Sequence, residues 1–403
     1  MERAILHLDL DTFFVSCERL QDSRLVGKPV LVGGTSDRGV VAGCSYEARK
    51  FGIHSAMPMR VARQLCPDAI VIRGNSSTYS KYSDMVTAII RESSPVYEKA
   101  SIDEFYIDAT GMDRFYGCYK WSQELRDRIM RETGLPISFG LATSKVVAKI
   151  GTGEAKPNNY RKIDQGDERQ FLAPLSVKKI PMVGDKTYQL LRSMGIQWIK
   201  TVQSMPPDLL VSLLGKNGMS LWEKANGIDD SPVIPFHDRK SISLERTFER
   251  DTTDMIKLRS IVIAMAENLA YQLRNGNRLT ACVAVRIRYA DFQTVTKQQQ
   301  LPYTSTDAEL IKVVLSLFES LYSRRVLVRL VGVRYSNLVS GGYQIDLFKD
   351  TQEEIRLFHA MDTIRNRFGQ DAIKRAVAMG STGIGRSNPF NGQPPVIPAH
   401  RRA

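Results

Sequence analysis

The chain has 403 residues, of which 43% are hydrophobic and 25% are charged, as in soluble globular proteins of two or three domains. Lysine and arginine total 56 against 43 aspartate and glutamate residues, and the net charge of +13 favours a polyanionic partner, nucleic acid before a membrane surface. No apolar run of about 18 residues is present, so the sequence predicts no membrane span.

The order of strands and helices in the first half of the sequence predicts a ferredoxin-like fold with an insertion. Residues 1–10 form a predicted buried strand, and a helix follows from Phe13 to Leu20 with Asp11 or Thr12 as its N-cap. Later strands are predicted at Pro29–Val32, Gly39–Ala42, Ala100–Asp108 and Ile137–Leu141, and later helices at Tyr46–Lys50, Met59–Leu65, Thr78–Arg91, Trp121–Glu132 and from Lys145. The compact segment at 11–72 is therefore inserted after the first strand.

Carboxylates stand at the ends of two predicted strands. Asp9 closes the first strand, and Asp103 and Glu104 are adjacent in the later one. Neighbouring strand residues point to opposite faces, so a purely structural strand would bury one of these two acids. Three carboxylates at neighbouring strand ends can hold two divalent cations roughly 3.5–4 Å apart for phosphoryl transfer, and Mg²⁺ suits such a site. An Asp-Glu pair alone is more often part of a solvated turn.

Four motifs accompany these acids: Asp9–Phe14 (DLDTFF), Tyr46–Gly52 (YEARKFG), Ser101–Glu104 (SIDE) and Ala155–Asn158 (AKPN). In order and approximate spacing they resemble the motifs of Y-family translesion DNA polymerases, in particular the bacterial polymerase IV branch, up to about residue 340. The resemblance implies that a cytoplasmic monomer adds dNTPs to a primer 3′-hydroxyl on primer-template DNA with two Mg²⁺ ions. A nucleotidyl cyclase with a similar palm and a non-catalytic DNA-binding accessory protein stay open as alternatives.

The resemblance assigns roles to individual residues. Asp9, Asp103 and Glu104 are the expected catalytic metal ligands, with the carbonyl of Leu10 as a further ligand. The expected nucleotide contacts are Phe13, Phe14, Tyr46, Arg49 and Lys156. Phe14 is the expected steric gate, a flat ring that leaves no room for a ribose 2′-hydroxyl. Without the resemblance, both phenylalanines are ordinary core aromatics and Arg49 belongs to an exposed helix face.

Small residues near the expected roof over the nascent base pair predict loose packing and low selectivity. They are Gly33, Gly34, Gly39, Ala42 and Gly43. The assigned domains use most of the chain, so no separate proofreading nuclease is expected. Gly151 and Gly153 lower the helix propensity of the lysine-rich segment, and we therefore expect a loose approach to Lys156.

Residues 166–230 predict short helices joined by short loops. Within them, Ile180–Lys186 resembles a helix-hairpin-helix motif, whose backbone amides bind DNA phosphates, and Lys186 is an expected DNA contact. Met182 stands where that motif has its first glycine, so a plain helical turn is the alternative.

The C-terminal half predicts a small α+β domain behind a linker. Pro232 and Pro235 mark the linker. In the following domain a strand alternates apolar residues with Arg286 and Arg288, which we expect to contact DNA phosphates. The alternative for this charged face is a solvated surface without a ligand.

A short peptide near the end predicts a protein partner. Gln344, Leu347 and Phe348 resemble the motif by which bacterial polymerases dock on the sliding clamp, with a Leu-Phe pair for an apolar pocket. Paired glycines precede the motif and a charged run follows it, as in an exposed tether. The alternative is one more short, partly buried strand.

The sequence thus predicts an α+β multidomain protein. The first part of the chain predicts a ferredoxin-like palm (1–10 and 73–165), small inserted fingers (11–72) and a helical thumb (166–230). A linker (231–241) and a little finger (242–338) follow. The remaining parts are a clamp-binding tether (339–350), a helical extension of unassigned role (351–380) and a disordered tail (381–403). Five scattered cysteines without paired spacing predict buried free thiols in a reducing cytosol: Cys17, Cys44, Cys66, Cys118 and Cys282.

Overall fold

A computed structural model describes residues 3–112, 117–324, 326–341, 352–369 and 372–378. The chain forms two compact units that divide between His237 and Asp238. Each unit combines helices with a β-sheet, so the predicted multidomain α+β fold class is confirmed. All five cysteines are buried free thiols, as predicted. None of the helices in the described ranges is both long enough and apolar enough to cross a membrane.

The first unit begins with alternating strands and helices. In chain order they are β1 (Ile5–Leu10), α1 (Phe13–Gln21), β2 (Val30–Gly33), β3 (Val41–Cys44), α2 (Tyr46–Arg49), α3 (Met59–Leu65), β4 (Ile70–Ile72), α4 (Ser76–Ser93), β5 (Val96–Lys99), β6 (Glu104–Asp108), α5 (Cys118–Thr133), β7 (Ile137–Ala142), α6 (Lys145–Ala155) and β8 (Tyr160–Lys162). A five-stranded sheet has the order β5-β6-β1-β7-β8, and a separate small sheet, β3-β2-β4, is inserted between β1 and α4. The sequence did not predict β4, β5 and β8, which have only three or four residues each.

The side chains of alternate residues in β1 point to the two opposite faces of the five-stranded sheet. Leu6 and Leu8 are buried in a core that also contains residues of α1, α4 and α5. His7 and Asp9 point to the opposite face, where α6 packs. Helix α6 is continuous to Ala155, so Gly151 and Gly153 do not interrupt it before Lys156. Gly151 allows α6 to pack closely, because a Cβ there would lie 2.7 Å from Ile163.

Five short helices follow, as predicted: α7 (Glu168–Leu172), α8 (Asp185–Ser193), α9 (Ile199–Ser204), α10 (Pro207–Leu214) and α11 (Lys216–Ala225). The predicted hairpin turn precedes α8. Met182 in this turn has a φ of +83° and is 88% exposed. A left-handed backbone costs a non-glycine residue about 1–2 kcal/mol, so Met182 keeps the conformation that glycine would adopt more easily.

The first half of the predicted linker is attached to the first unit. The Arg3 guanidinium donates hydrogen bonds to the carbonyl oxygen of Asp229, at 2.7 Å just before this linker, and to that of Ser231 within it. The backbone N–H of Ile234 donates one of 2.8 Å to the carboxylate of Glu98, which also accepts a bond from Lys145. Distant side chains therefore bind the backbone of the segment at Ser231 and Ile234.

The second unit is a four-stranded antiparallel sheet with helices on one face. Its elements are β9 (Ser241–Thr252), α12 (Met255–Asn275), β10 (Arg278–Tyr289), β11 (Thr294–Thr304), α13 (Asp307–Leu321), β12 (Val328–Ser340) and α14 (Gln352–Phe368), with the strand order β11-β10-β12-β9. Val283 and Val285 are buried against α12 and α13, whereas Arg286 and Arg288 lie on the open face, as the alternation predicted. The sequence did not predict β9 and β11. Helix α14 lies within the predicted helical extension.

Candidate active site

The three predicted carboxylate ligands meet at one end of the five-stranded sheet. Asp9, near the end of β1, is paired directly with Glu104, the first residue of β6. The backbone N–H of Leu10 donates a hydrogen bond of 3.0 Å to the carbonyl oxygen of Asp103. Residues directly opposite in an antiparallel pair share one face of the sheet, so Asp9 and Glu104 project to the same side, towards α6.

Ser101 braces the turn that carries two of these acids. Its hydroxyl oxygen accepts hydrogen bonds from the backbone N–H groups of Asp103, at 3.2 Å, and Glu104, at 3.0 Å. The same hydroxyl donates to the Asp103 carboxylate at 2.5 Å. One small side chain thus fixes both carboxylates relative to the end of β1, a role that the sequence analysis did not assign.

Two lysines bind the carboxylates. The ammonium of Lys149 lies 2.7 Å from both carboxylate oxygens of Glu104, and that of Lys156 contacts Asp9. Lys149 belongs to α6, and Lys156 follows the last residue of this helix. Among the described residues, no three acidic, histidine or cysteine side chains are already arranged around one point as metal ligands. The ammonium groups instead supply the positive charge beside the acids.

Burial strongly affects the ionisation of this cluster. It raises the pKa of Asp9 to about 7, although the ion pair with Lys156 acts in the opposite direction. It also raises the pKa of Asp103, against the hydrogen bond from Ser101. His7 lies on the same face of β1, and burial lowers its pKa well below the usual value. The imidazole is therefore neutral near pH 7 and adds no positive charge next to the carboxylates.

Asp11 joins three parts of the first unit. Its buried carboxylate accepts hydrogen bonds from the Tyr46 hydroxyl at 3.2 Å, the Ser138 hydroxyl at 2.7 Å and the backbone N–H of Asn158 at 2.6 Å. Of the two predicted N-cap residues of α1, Thr12 occupies the cap position, and it makes no side-chain capping hydrogen bond. Asp11 therefore connects α2, β7 and the loop after α6, and the sequence analysis missed this role.

The expected triphosphate contacts lie around Asp11. The Lys156 ammonium is 3.9 Å from an Asp11 oxygen, and the Tyr46 hydroxyl donates to the same carboxylate. Arg49 is exposed, and its guanidinium lies 4.8 Å from the centroid of the Tyr46 ring. A cleft of about 360 Å³ lined in part by Asp11, Tyr46 and Asn158 opens beside these residues. Tyr46 and Asp11 thus border this open space, whereas Lys156 reaches it only through its contact with Asp11.

The two adjacent phenylalanines have different environments. Phe13 is buried in the core, so its side chain offers no face to a ligand, and its expected nucleotide contact is reduced to the backbone. Phe14 is half-buried, with its ring 4.7 Å from that of Tyr79. A Cβ added at Gly43 would lie 3.2 Å from the Phe14 ring. The ring of Phe14 is therefore held between Tyr79 and the backbone of β3.

The expected DNA contacts lie on exposed or half-exposed surfaces of each unit. Lys186 is exposed in the first turn of α8. Arg286 lies 2.7 Å from Glu245 across the sheet, and Arg288 donates to the hydroxyl of Thr294 at 2.8 Å. Arg334 is exposed on the same open face, and the sequence analysis did not assign it. The clamp residues Gln344, Leu347 and Phe348 lie outside the described residues.

Sequence comparisons place this site within a known family. Residues 8–153 match the sequence model of the impB/mucB/samB family, and residues 239–347 match that of the family's C-terminal domain. A DNA polymerase IV of Dehalococcoides mccartyi is 39% identical over 376 residues, which are 92% of this chain and 96% of the relative. A DNA polymerase IV of Treponema denticola is 35% identical over 93% of this chain and 96% of its own length.

Solved structures agree with these relatives. A Y-family DNA polymerase chimera superimposes with a TM-score of 0.73 at 25% identity, over 84% of this chain and 100% of its own. DinB from Sulfolobus solfataricus gives a TM-score of 0.58 at 26% identity with the same coverage. Since polymerase relatives match more than nine-tenths of its length, the chain belongs to the impB/mucB/samB family, the Y-family polymerases that include DNA polymerase IV.

Proposed function

We propose that this Y-family member is a template-directed DNA polymerase of the low-fidelity translesion type, with Asp9, Asp103 and Glu104 as its catalytic centre. The observation that carries the assignment is the meeting of these carboxylates at one end of the sheet, each ion-paired or braced by a neighbouring side chain. A nucleotidyl cyclase or a DNA-binding accessory protein would not need this centre together with the basic surface of the second unit, and the relatives are polymerases.

Members of this family use divalent metal ions, and the donor set here fits two Mg²⁺ ions. Three carboxylates and the Leu10 carbonyl are hard oxygen ligands of the kind that Mg²⁺ prefers. The ammonium groups of Lys149 and Lys156 already lie where a bound cation would neutralise Glu104 and Asp9. When bound, the two ions lower the pKa of the primer 3′-hydroxyl and offset charge on the pyrophosphate leaving group.

Tyr46, Arg49 and Lys156 are proposed to bind the dNTP triphosphate. Arginine offers a planar fork to phosphate oxygens, and lysine offers a compact charge. Lys156 is paired with Asp9 here, so it becomes available to a phosphate when Asp9 binds another cation. The hydrogen bond between Tyr46 and Asp11 holds the phenol at the edge of the cleft, next to the same lysine.

Phe14 is proposed to select deoxyribonucleotides. The contacts with Tyr79 and Gly43 limit the movement of its ring, so a 2′-hydroxyl would have to displace a supported side chain. The small residues of the insertion are proposed to leave the nascent base pair loosely packed. Gly34 and Gly39 also have a structural reason to be small, because a Cβ on Gly34 would lie 2.8 Å from the Cα of Gly39.

We propose that the thumb and the little finger expected from the sequence bind the primer-template DNA. Lys186 on the helical segment and Arg286 with Arg288 on the open sheet face would contact phosphates without reading sequence. The Glu245 carboxylate shares the charge of Arg286, so this residue is expected to contribute less than Arg288. The peptide containing Gln344, Leu347 and Phe348 is proposed to bind the sliding clamp of a cytoplasmic, monomeric enzyme.

Incorporation by the purified protein on defined templates tests this function. Each dNTP is supplied alone to four primer-templates that differ only in the templating base, with Mg²⁺ and without it. We expect the templating base to decide which dNTP is added, and no addition without a divalent cation. Addition that ignores the templating base, or the absence of any addition with Mg²⁺ or Mn²⁺, would rule out a template-directed polymerase.

A further inference from the structure

Directional contacts attach the last helix, α14, to the second unit. The Arg274 guanidinium donates hydrogen bonds of 2.6 and 3.0 Å to the two carboxylate oxygens of Asp362. The Tyr271 hydroxyl donates one of 2.6 Å to the side-chain oxygen of Asn366. Phe358 is buried, with its ring 4.9 Å from the same guanidinium. Because each contact has a required geometry, together they fix the rotation of α14 about its own axis.

A different face of α14 is apolar and exposed. The α14 stripe consists of Leu357, Met361, Ile364 and Phe368, whose spacing of four, three and four residues places them in one row. Leu357, Ile364 and Phe368 are 57%, 39% and 68% exposed. Soluble proteins rarely present a continuous apolar row of this kind unless something binds it. The row lies about 130° round the helix from the attached face.

Chain length limits the distance between the proposed clamp peptide and α14. The proposed clamp peptide ends at Phe348, and four residues further on α14 begins at Gln352, a span of at most about 14 Å. At its other end, Gln344 is three residues from Gly341, the residue after β12, a span of at most about 11 Å. Any protein that holds this peptide is therefore kept close to both the end of β12 and the start of α14.

We propose that the α14 stripe is a second contact surface for the sliding clamp, beside the Gln344–Phe348 peptide. The inference rests on the proposed clamp interaction and names the further surface involved. Arg356 and Arg367 are exposed along one edge of the row, so the matching clamp surface is an apolar patch with an acidic edge. Once the peptide is bound, the second contact forms within one complex, and a weak contact then raises the overall affinity by about 10-fold or more.

Affinity measurements with the full chain test this surface. The variant Leu357→Gln/Phe368→Gln replaces the two most exposed members of the stripe with a good helix former. The matched control is Ile256→Gln, which changes an 84% exposed apolar residue in the first turn of α12. Binding to the purified clamp of the same organism is measured by calorimetry. We expect the stripe variant to bind about 10-fold more weakly, with the control and all melting temperatures unchanged.

A peptide variant separates the two proposals. Leu347→Ala/Phe348→Ala should abolish binding, and a synthetic peptide of residues 339–350 should bind as weakly as the stripe variant of the full chain. Loss of binding in the peptide variant with full affinity in the stripe variant would overturn the second surface and leave the clamp interaction. Full affinity in both would overturn the clamp interaction itself. If the double stripe variant melts earlier, Leu357→Gln alone must still weaken binding for the proposal to stand.

Discussion

Replacing Lys149 with methionine removes the ammonium held between the two oxygens of Glu104, while the side-chain volume changes little. A divalent cation at the carboxylates has to displace this ammonium or remain close to it. We therefore expect the variant to bind Mg²⁺ more tightly than the wild type in the absence of DNA and dNTP. The same change should lower the stability of the metal-free protein, because three carboxylates then share only Lys156.

The magnitude follows from Coulomb's law. A unit charge and a doubly charged ion about 5 Å apart repel by roughly 1.7 kcal/mol at the dielectric constant of water. The Lys149 and Glu104 side chains are 33% and 25% exposed, so the effective dielectric constant is lower than that of water, while salt screens part of the repulsion. An expected gain of about 1–2 kcal/mol corresponds to a 5- to 30-fold lower Mg²⁺ dissociation constant.

Thermal unfolding over a series of MgCl₂ concentrations measures this effect without any catalytic readout. The matched control is Lys145→Met, since Lys145 lies one helical turn earlier on α6 and makes an ion pair of the same 2.7 Å length with Glu98. Both variants should melt earlier without metal. Only Lys149→Met should show a larger Mg²⁺-dependent rise and a lower midpoint concentration. An equal or smaller rise than in the wild type would refute competition between Lys149 and the cation.

Three further predictions concern separate parts of the chain. Phe14→Ala should raise the ratio of ribonucleotide to deoxyribonucleotide incorporation by about 10–100-fold, and an unchanged ratio would leave Phe14 as a core residue. Met182→Gly should stabilise the first unit by about 0.5–1 kcal/mol in denaturant unfolding, because it removes a left-handed penalty larger than the added chain entropy, and a loss of stability would contradict this. Neutralising Arg286 and Arg288 together should weaken DNA binding equally for all sequences and lower the salt slope by about one to two, since Glu245 shares the charge of Arg286, and an unaltered slope would exclude this face.

The parts of the site that could be predicted are those with a local signal. Asp9 is the penultimate residue of an apolar strand and Glu104 begins another, and acids in such positions stand out against the strand pattern. Asp11 carries the same signal, but its role depends on Ser138 and Asn158, which are 127 and 147 residues away. No periodicity in the sequence encodes contacts at that separation. The pairing of Lys149 with Glu104 was missed for the same reason.

The helices and strands likewise divide into those with a local sequence signal and those that depend on distant partners. The long helices and buried strands were predictable because their apolar residues recur at the period of the element. The short strands β4, β5 and β8 offer too few residues for a period to be recognised, and they exist because a longer neighbour pairs with them. The attachment of Ile234 to Glu98 likewise comes from a partner 136 residues distant, which a proline-rich composition does not reveal.

Single-nucleotide incorporation by Asp103→Asn, measured together with DNA binding on the same preparation, tests the central claim most directly. Asparagine keeps the volume of the side chain and the oxygen that accepts a hydrogen bond from Ser101, but it removes the negative charge. We predict that incorporation falls by about 10³-fold or more, while primer-template affinity stays within about twofold, because binding rests on basic surfaces elsewhere. Incorporation close to the wild-type rate would contradict the assignment of these carboxylates as the catalytic centre.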